Sequence, residues 1–219
     1  ISTLDHLTVQ STQYGTPIHS IGTNAFANVQ VVGEDKNHTL RLTIGTNAGE
    51  GQTSAEGIRN ILSQAFSCCS FIGALDFGDS VELIGTNAFE DCDNLTKLVV
   101  SENIKTVKSY AFASCDSLTD VKWNSHASMP DHLFNACANL KTVTFMQKDV
   151  QKIDSTAFHG CDAIERFYVW KGEDGQQTDT EVALRSALKK SGMDEEAIDA
   201  KIAYLDDEGV DAPVVVEGL

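Results

Sequence analysis

The chain has 219 residues, 42% of them hydrophobic, enough to bury a continuous core, and its sixteen basic and thirty-two acidic side chains give a formal net charge of −16. That charge repels nucleic acid and anionic membrane surfaces, so neither is expected as a partner. No run approaches the roughly 20 apolar residues of a membrane-spanning helix, and Ile1-Ser2-Thr3-Leu4-Asp5 lacks the basic and apolar regions of a signal peptide.

In chain order, Leu4, Leu7 and Val9 have the spacing of a short strand, so the recorded start reads as the inside of a repeat. The expectation is that a signal peptide was removed and that the protein is extracellular or at a cell surface, with the cytoplasm as the alternative. Ile21, Ala25, Phe26, Val29 and Val32 follow in a second frame. Ile44-Gly45-Thr46-Asn47-Ala48 repeats the motif from Ile21 to Ala25, with Gly49 in place of phenylalanine. Residues 30–64 therefore read as a degenerate repeat, with a short helix near Glu56 to Gln64 and no obvious strand.

From Phe66 onward the pattern is regular. Phe66, Phe89, Phe112, Phe134 and Phe158 are separated by 23, 23, 22 and 24 residues, and each follows an alanine or, once, Leu133. Three residues after each comes a cysteine: Cys69, Cys92, Cys115, Cys137 and Cys161. An aliphatic column (Ile72, Leu95, Leu118, Leu140, Ile164) comes next, then Leu75, Leu98, Val121, Val143 and Phe167, then Phe77, Val100, Trp123, Phe145 and Val169. Ile61, Ile84, Val107, Met129 and Ile153 precede each turn. Apolar residues two apart point to one side of an extended segment, so every unit contributes one short strand, and stacked units bury continuous columns. Asp91, Asp93, Asn94, Asp116, Ser117 and Asn139 suit the tight turn into that strand.

After Trp170 the composition shifts. Residues 171–178 read as a linker. Val182, Leu184, Ala187 and Leu188 have helical spacing, with Gly192 as a stop. Asp194 has the position of an N-cap for a second helix carrying Ala197, Ile198, Ile202 and Leu205. Residues 171–219 hold thirteen acidic and five basic side chains. They form either an acidic helical hairpin that caps the stack or the start of a further module.

The stretch Ile84-Gly85-Thr86-Asn87-Ala88-Phe89-Glu90-Asp91-Cys92-Asp93-Asn94-Leu95, with Leu98 and Val100, resembles the BspA-type leucine-rich repeat family over residues 1–170. The resemblance implies a right-handed leucine-rich-repeat solenoid of the α/β class, about seven repeats with short parallel strands, ended by the C-terminal helical cap. It also implies a surface-exposed or secreted protein of the kind several of whose relatives take part in adhesion, with no catalytic residues to carry over.

The residues themselves point the same way. One cysteine per turn, with no Cys-x-x-Cys, is a packing column rather than a zinc or disulfide set, and Cys68 sits incidentally on the other side of its turn. The six histidines share no column and no fixed partner. Asp206, Asp207, Glu208 and Asp211 lack the spacing of a calcium loop. Asn37-His38-Thr39 and Asn94-Leu95-Thr96 match the glycosylation pattern, the second inside a recurring turn. No catalytic site, metal or cofactor is expected. Outward strand positions align as Ala74 and Asp76, Lys97 and Val99, Asp120 and Lys122, Thr142 and Thr144, and Arg166 and Tyr168, with Trp170 just beyond. Such a ladder suits a protein or glycan ligand, with residue types common in interface anchors concentrated at Arg166, Tyr168 and Trp170. The alternatives are a structural spacer with no ligand of its own and an enzyme whose pocket only the fold would reveal.

Overall fold

The computed structural model describes residues 6–9, 12–13, 16–29, 39–44, 57–173 and 176–205. In chain order the elements are β1 (His6–Val9), β2 (Thr12–Gln13), β3 (Thr16–Pro17), β4 (Ser20–Ile21), β5 (Leu40–Ile44), β6 (Asn60–Ile61), β7 (Ile72–Asp76), β8 (Leu83–Ile84) and β9 (Lys97–Val100). They continue with β10 (Thr106–Val107), β11 (Asp120–Trp123), β12 (Thr142–Phe145), β13 (Arg166–Trp170), α1 (Asp179–Lys190), α2 (Glu195–Lys201) and β14 (Ile202–Leu205). The long strands form one eight-stranded parallel sheet in the order β1-β5-β7-β9-β11-β12-β13-β14. The two-residue strands β4, β6, β8 and β10 form a second parallel sheet, which the Met129–Ile153 bridge repeats further along. The column Ile61, Ile84, Val107, Met129 and Ile153 is thus a run of short strands or bridges, one per coil. The architecture is a leucine-rich-repeat solenoid with a small helical C-terminal region.

Between the sheets each coil makes the turn that carries Ala-Phe. Alternate N–H groups of that turn bond within the turn and to the next coil. Phe26, Phe66, Phe89, Phe112 and Phe134 donate to the carbonyls of Ala65, Ala88, Ala111, Leu133 and Ala157 at 2.8–3.1 Å. Residues two further on, from Asn28 to Ala136, do the same, so these bonds all run one way along the axis. The turn holds that geometry because a residue near each end adopts positive φ: Asn24, Gln64, Asn87, Tyr110 and His132 before it, and Asn28, Cys68, Asp91, Ser114, Ala136 and Gly160 after it. Asparagine, aspartate and glycine tolerate this region best. Cys68 therefore occupies a regular left-handed position of the turn, and the residue types there vary because only the backbone repeats.

The buried side chains stack on this ladder. Phe26, Phe66, Phe89, Phe112 and Phe134 lie near-parallel with centroids 5.0–5.9 Å apart, and Phe158 continues the stack. Each column cysteine donates its thiol to the phenylalanine carbonyl of the preceding coil. Cys69, Cys92, Cys115, Cys137 and Cys161 reach Phe26, Phe66, Phe89, Phe112 and Phe134 at 3.0–3.4 Å. Burial pushes the Cys69 thiol up to about 11 and raises Cys92 well above the ordinary thiol value. The neighbouring Cys137, with burial, does the same for Cys115 and Cys161. Cys69, Cys92, Cys115 and Cys161 therefore keep the proton that they donate, whereas hydrogen bonding with Cys115 and Cys161 lowers the Cys137 thiol between them. Serine would add a strongly hydrated hydroxyl here, whereas a thiol is a small hydrophobe with a weak donor, which is what a dry turn with one carbonyl to cover calls for.

The N-terminal reading needs correction in two places. No helix spans the described residues 57–64, which hold β6 and a turn. Ile44 lies in β5, two past buried Leu42, so it belongs to the strand column and not to the pre-turn column of Ile21. The Phe26 turn stacks directly on the Phe66 turn, and β5 and β6 lie between the two in sequence. Leu4, residues 45–56 and the tripeptide residues Asn37 and His38 lie outside the described residues.

The C-terminal segment closes on the last coil. Thr178 caps α1 by accepting from the Glu181 N–H, and Asp194 caps α2 by accepting from Ala197 N–H, as its position predicts. Leu184, Ala187 and Leu188 of α1 and Ile198 of α2 join the solenoid core. The second helix is shorter than its apolar spacing suggests. It ends at Lys201, and Ile202–Leu205 pairs in register with Phe167–Trp170 as the eighth strand. The edge of β13 offers unpaired backbone groups that a strand satisfies and a further helical turn does not. Glu181, 1% exposed, anchors the unit by accepting from Arg185 Nε at 2.9 Å, Tyr204 at 3.0 Å and Gln177 at 3.1 Å. The acidic run Asp206 to Asp211 and the tail to Leu219 lie outside the described residues.

Two outcomes check the packing. Phe112→Ala removes a fully buried ring stacked on both sides and is expected to destabilise by about 3–5 kcal/mol in denaturant unfolding. A loss below about 1 kcal/mol would contradict the stack. In the native protein DTNB is expected to label Cys68 ahead of the other five thiols, all six reacting only after unfolding. Equal native reactivity would rule out the buried column.

Candidate binding surface

The long sheet has one face in the core and one facing out. Leu42, Leu75, Leu98, Val121, Val143 and Phe167 make the inner row, and Ile44, Phe77, Val100, Trp123, Phe145 and Val169 its companion. The outer face carries two rows in register. Arg41, Ala74, Lys97, Asp120, Thr142 and Arg166 form the first, and Thr43, Asp76, Val99, Lys122, Thr144, Tyr168 and Ala203 the second. The alternation in sequence thus brings the expected residues onto one continuous face.

Their roles differ. Lys97 is exposed, and Val99, Asp120, Lys122, Tyr168 and Trp170 are half-buried. Thr142 is 9% exposed and Thr144 1%. These two small side chains lie between the larger neighbours Asp120 and Arg166, and Lys122 and Tyr168, so they shape the floor of the face and expose little of themselves to a ligand. Thr142 Oγ1 donates to Asp120 Oδ1 at 2.6 Å, and Thr119 Oγ1 donates to the same carboxylate's other oxygen at 2.7 Å. Asp120 is therefore held in place by two hydroxyl donors. Among the described residues, Thr144 Oγ1 is one of three buried side-chain polar atoms with no partner, beside Ser101 Oγ and Trp123 Nε1.

Arg166 is spoken for as well. Its guanidinium donates to the carbonyls of Glu165 and Ala200 at 2.9 Å, covering the last turn of α2, while Lys201 Nζ reaches back to the Ile164 carbonyl. The pair locks helix to coil, a role that spacing alone does not reveal because the acceptors are backbone oxygens 34 and 37 residues away. Trp170 donates Nε1 to the Met146 carbonyl at 2.9 Å, and Lys148 Nζ sits 5.4 Å from its ring centroid. Its indole is fixed at the rim of the face, next to a wide shallow depression lined by His126, Met146, Gln147, Lys148 and Asp149. What remains available on the face is Lys97, Val99, Lys122, the Tyr168 ring and the edge of Trp170.

No group of three or more His, Cys, Asp or Glu side chains among the described residues is placed to hold a metal ion. No helix among them is long and apolar enough to cross a membrane.

The BspA type leucine-rich repeat region matches the chain in six copies over residues 52–172. Comparison with curated protein sequences gives no significant match. Among solved structures, the pneumococcal vaccine antigen PcpA superposes with a TM-score of 0.66 at 16% identity, covering 92% of this chain and 42% of that one. A leucine-rich repeat protein of T. pallidum superposes with a TM-score of 0.59 at 20% identity, covering 86% and 84%. At these identities the likeness is one of fold, and the chain spans less than half the length of the pneumococcal antigen.

The unpaired Thr144 hydroxyl yields a prediction. Thr144→Val keeps the shape and removes a buried oxygen without a partner, so the variant is expected to gain about 1 kcal/mol in urea unfolding. A loss of that size would show that the hydroxyl is satisfied.

Proposed function

Since the chain belongs to the BspA-type leucine-rich repeat family, we propose that it is a non-catalytic binding module of a cell-surface or secreted protein, adhesin-like, recognising a protein or glycan through the outer face of its long sheet. The observation that carries this reading is the rigid presentation of Lys97, Lys122 and Tyr168 on β9, β11 and β13 of one sheet, beside an indole pinned at the rim. Parallel strands lie about 4.8 Å apart, so side chains in one row recur at a fixed step along the coil axis. That geometry is suited to an extended ligand lying across the strands. The face is shallow, which favours a macromolecule over a small substrate. Affinity on such a surface rests on a few aromatic and cationic anchors, and Tyr168 with Trp170 supplies the aromatic part. The antigen description of the pneumococcal relative and the family's occurrence at bacterial surfaces support a location outside the cell.

The test is binding of the purified chain to immobilised extracellular-matrix proteins and glycans at physiological salt, beside Lys97→Ala/Lys122→Ala/Tyr168→Ala. Arg166 is left intact because it holds α2. Saturable binding that weakens by about tenfold or more in the folded triple variant is expected. Binding unchanged by the three substitutions would move the site off this face, and no binding to any member of the panel would favour the spacer reading.

A further inference from the structure

The one-way hydrogen bonds of the Ala-Phe turn have a last member. In the coil of Phe134, the Phe134 and Ala136 N–H groups donate to the Ala157 and His159 carbonyls at 2.8 Å. The equivalent donors of the final coil are Phe158 and Gly160, and among the described residues neither N–H has an acceptor. The third, Thr156 N–H, is turned back onto Asp154 Oδ1 at 3.0 Å. Gly160 keeps the left-handed conformation of the ladder at φ +75°, with its backbone against Ala136, so the second end of the final turn repeats the inner ones, whereas Thr156 at its start lacks the positive φ of Gln64, Asn87, Tyr110 and His132.

The two free donors border a cavity of about 390 Å³ between the last turn and the helical cap. Its apolar walls are Phe158, Ile164, Phe167, Leu188 and Met193. Phe158 is stacked on Phe134 on one side and only half-buried, whereas the inner rings of the stack are fully buried. The helices thus cover the core under Phe167 without replacing the carbonyls or the ring that a further coil would supply. A volume of this size lies in the range of ligand pockets and exceeds that of one aromatic side chain.

We propose that this open end of the turn ladder is a peptide-binding site, taking a segment of a partner protein that places an aromatic side chain in the cavity while two of its backbone carbonyls accept from Phe158 and Gly160. The site continues the coil-to-coil interface that the chain already forms at five successive turns, and those turns define its ligand. Acceptors two residues apart flank a phenylalanine whose ring stacks on the ring below. Capture by main-chain donors with one side-chain pocket is an established mode of peptide recognition. It is separate from the outer face of the long sheet, and neither reading depends on the other.

The experiment is an NMR titration of the 15N-labelled full chain with an acetylated and amidated peptide of the internal turn sequence Gly-Thr-Asn-Ala-Phe-Glu-Asp. Saturable downfield shifts at the Phe158 and Gly160 amides are expected, with binding weakened about tenfold or more when alanine replaces the peptide's phenylalanine. Ser191→Phe, at an exposed residue on the cavity rim, is expected to fold normally in the same spectra and to block the shifts. Amides that stay unmoved at millimolar peptide, equal response to the alanine peptide, or undiminished binding by a folded Ser191→Phe would each overturn the proposal.

Discussion

Coil-to-coil hydrogen bonding at the Ala-Phe turn is the constraint on which the rest of the molecule depends. A turn is normally where a chain leaves its regular pairing, yet here alternate N–H groups point along the solenoid axis and meet the carbonyls of the next coil. Once that register is fixed, the phenylalanines must stack, the thiols must face the carbonyls below, and the strands on the far side must pair in parallel. Each of these contacts links only neighbouring coils, so stability accumulates along the axis. The open ends of the stack are then its least satisfied parts, and the cap, with buried Glu181 and the returning strand β14, resolves the long-sheet side of one of them.

The same constraint explains what could be seen in the sequence. Columns such as Phe89, Cys92, Leu95, Leu98 and Val100 repeat because each meets its own copy one coil away, and they announce both the fold and the strand faces. The positive-φ positions were not legible, since Asn87, Tyr110 and His132 share a backbone conformation and no side-chain chemistry. The motif at Ile44 misled because a local match to Ile-Gly-Thr-Asn-Ala carries no information about stacking, and only the contact of Phe26 with Phe66 shows where the coil closes. Ile202 and Leu205 fitted a helix by spacing, while the edge of β13 made a strand the better partner.

For the outer face, alternation placed the right residues on the right side, but position alone did not separate presenters from supports. Thr142 and Thr144 lie beneath taller neighbours, and Arg166 is tied to the end of α2. Lys97, Lys122, Tyr168 and the rim indole remain as a compact set of anchors on a sheet that cannot rearrange without breaking the ladder behind it. That rigidity is the main asset of a repeat surface, because little side-chain or backbone order has to be created on binding.

The measurement that addresses the ladder most directly is native-state amide hydrogen exchange read by NMR. The N–H groups of Phe66, Phe89, Phe112 and Phe134 are expected to exchange slowly and with closely similar protection, while those of Phe158 and Gly160, at the end of the row, exchange fast. Uniform protection through Phe158 and Gly160, or fast exchange at the inner phenylalanines, would contradict the account.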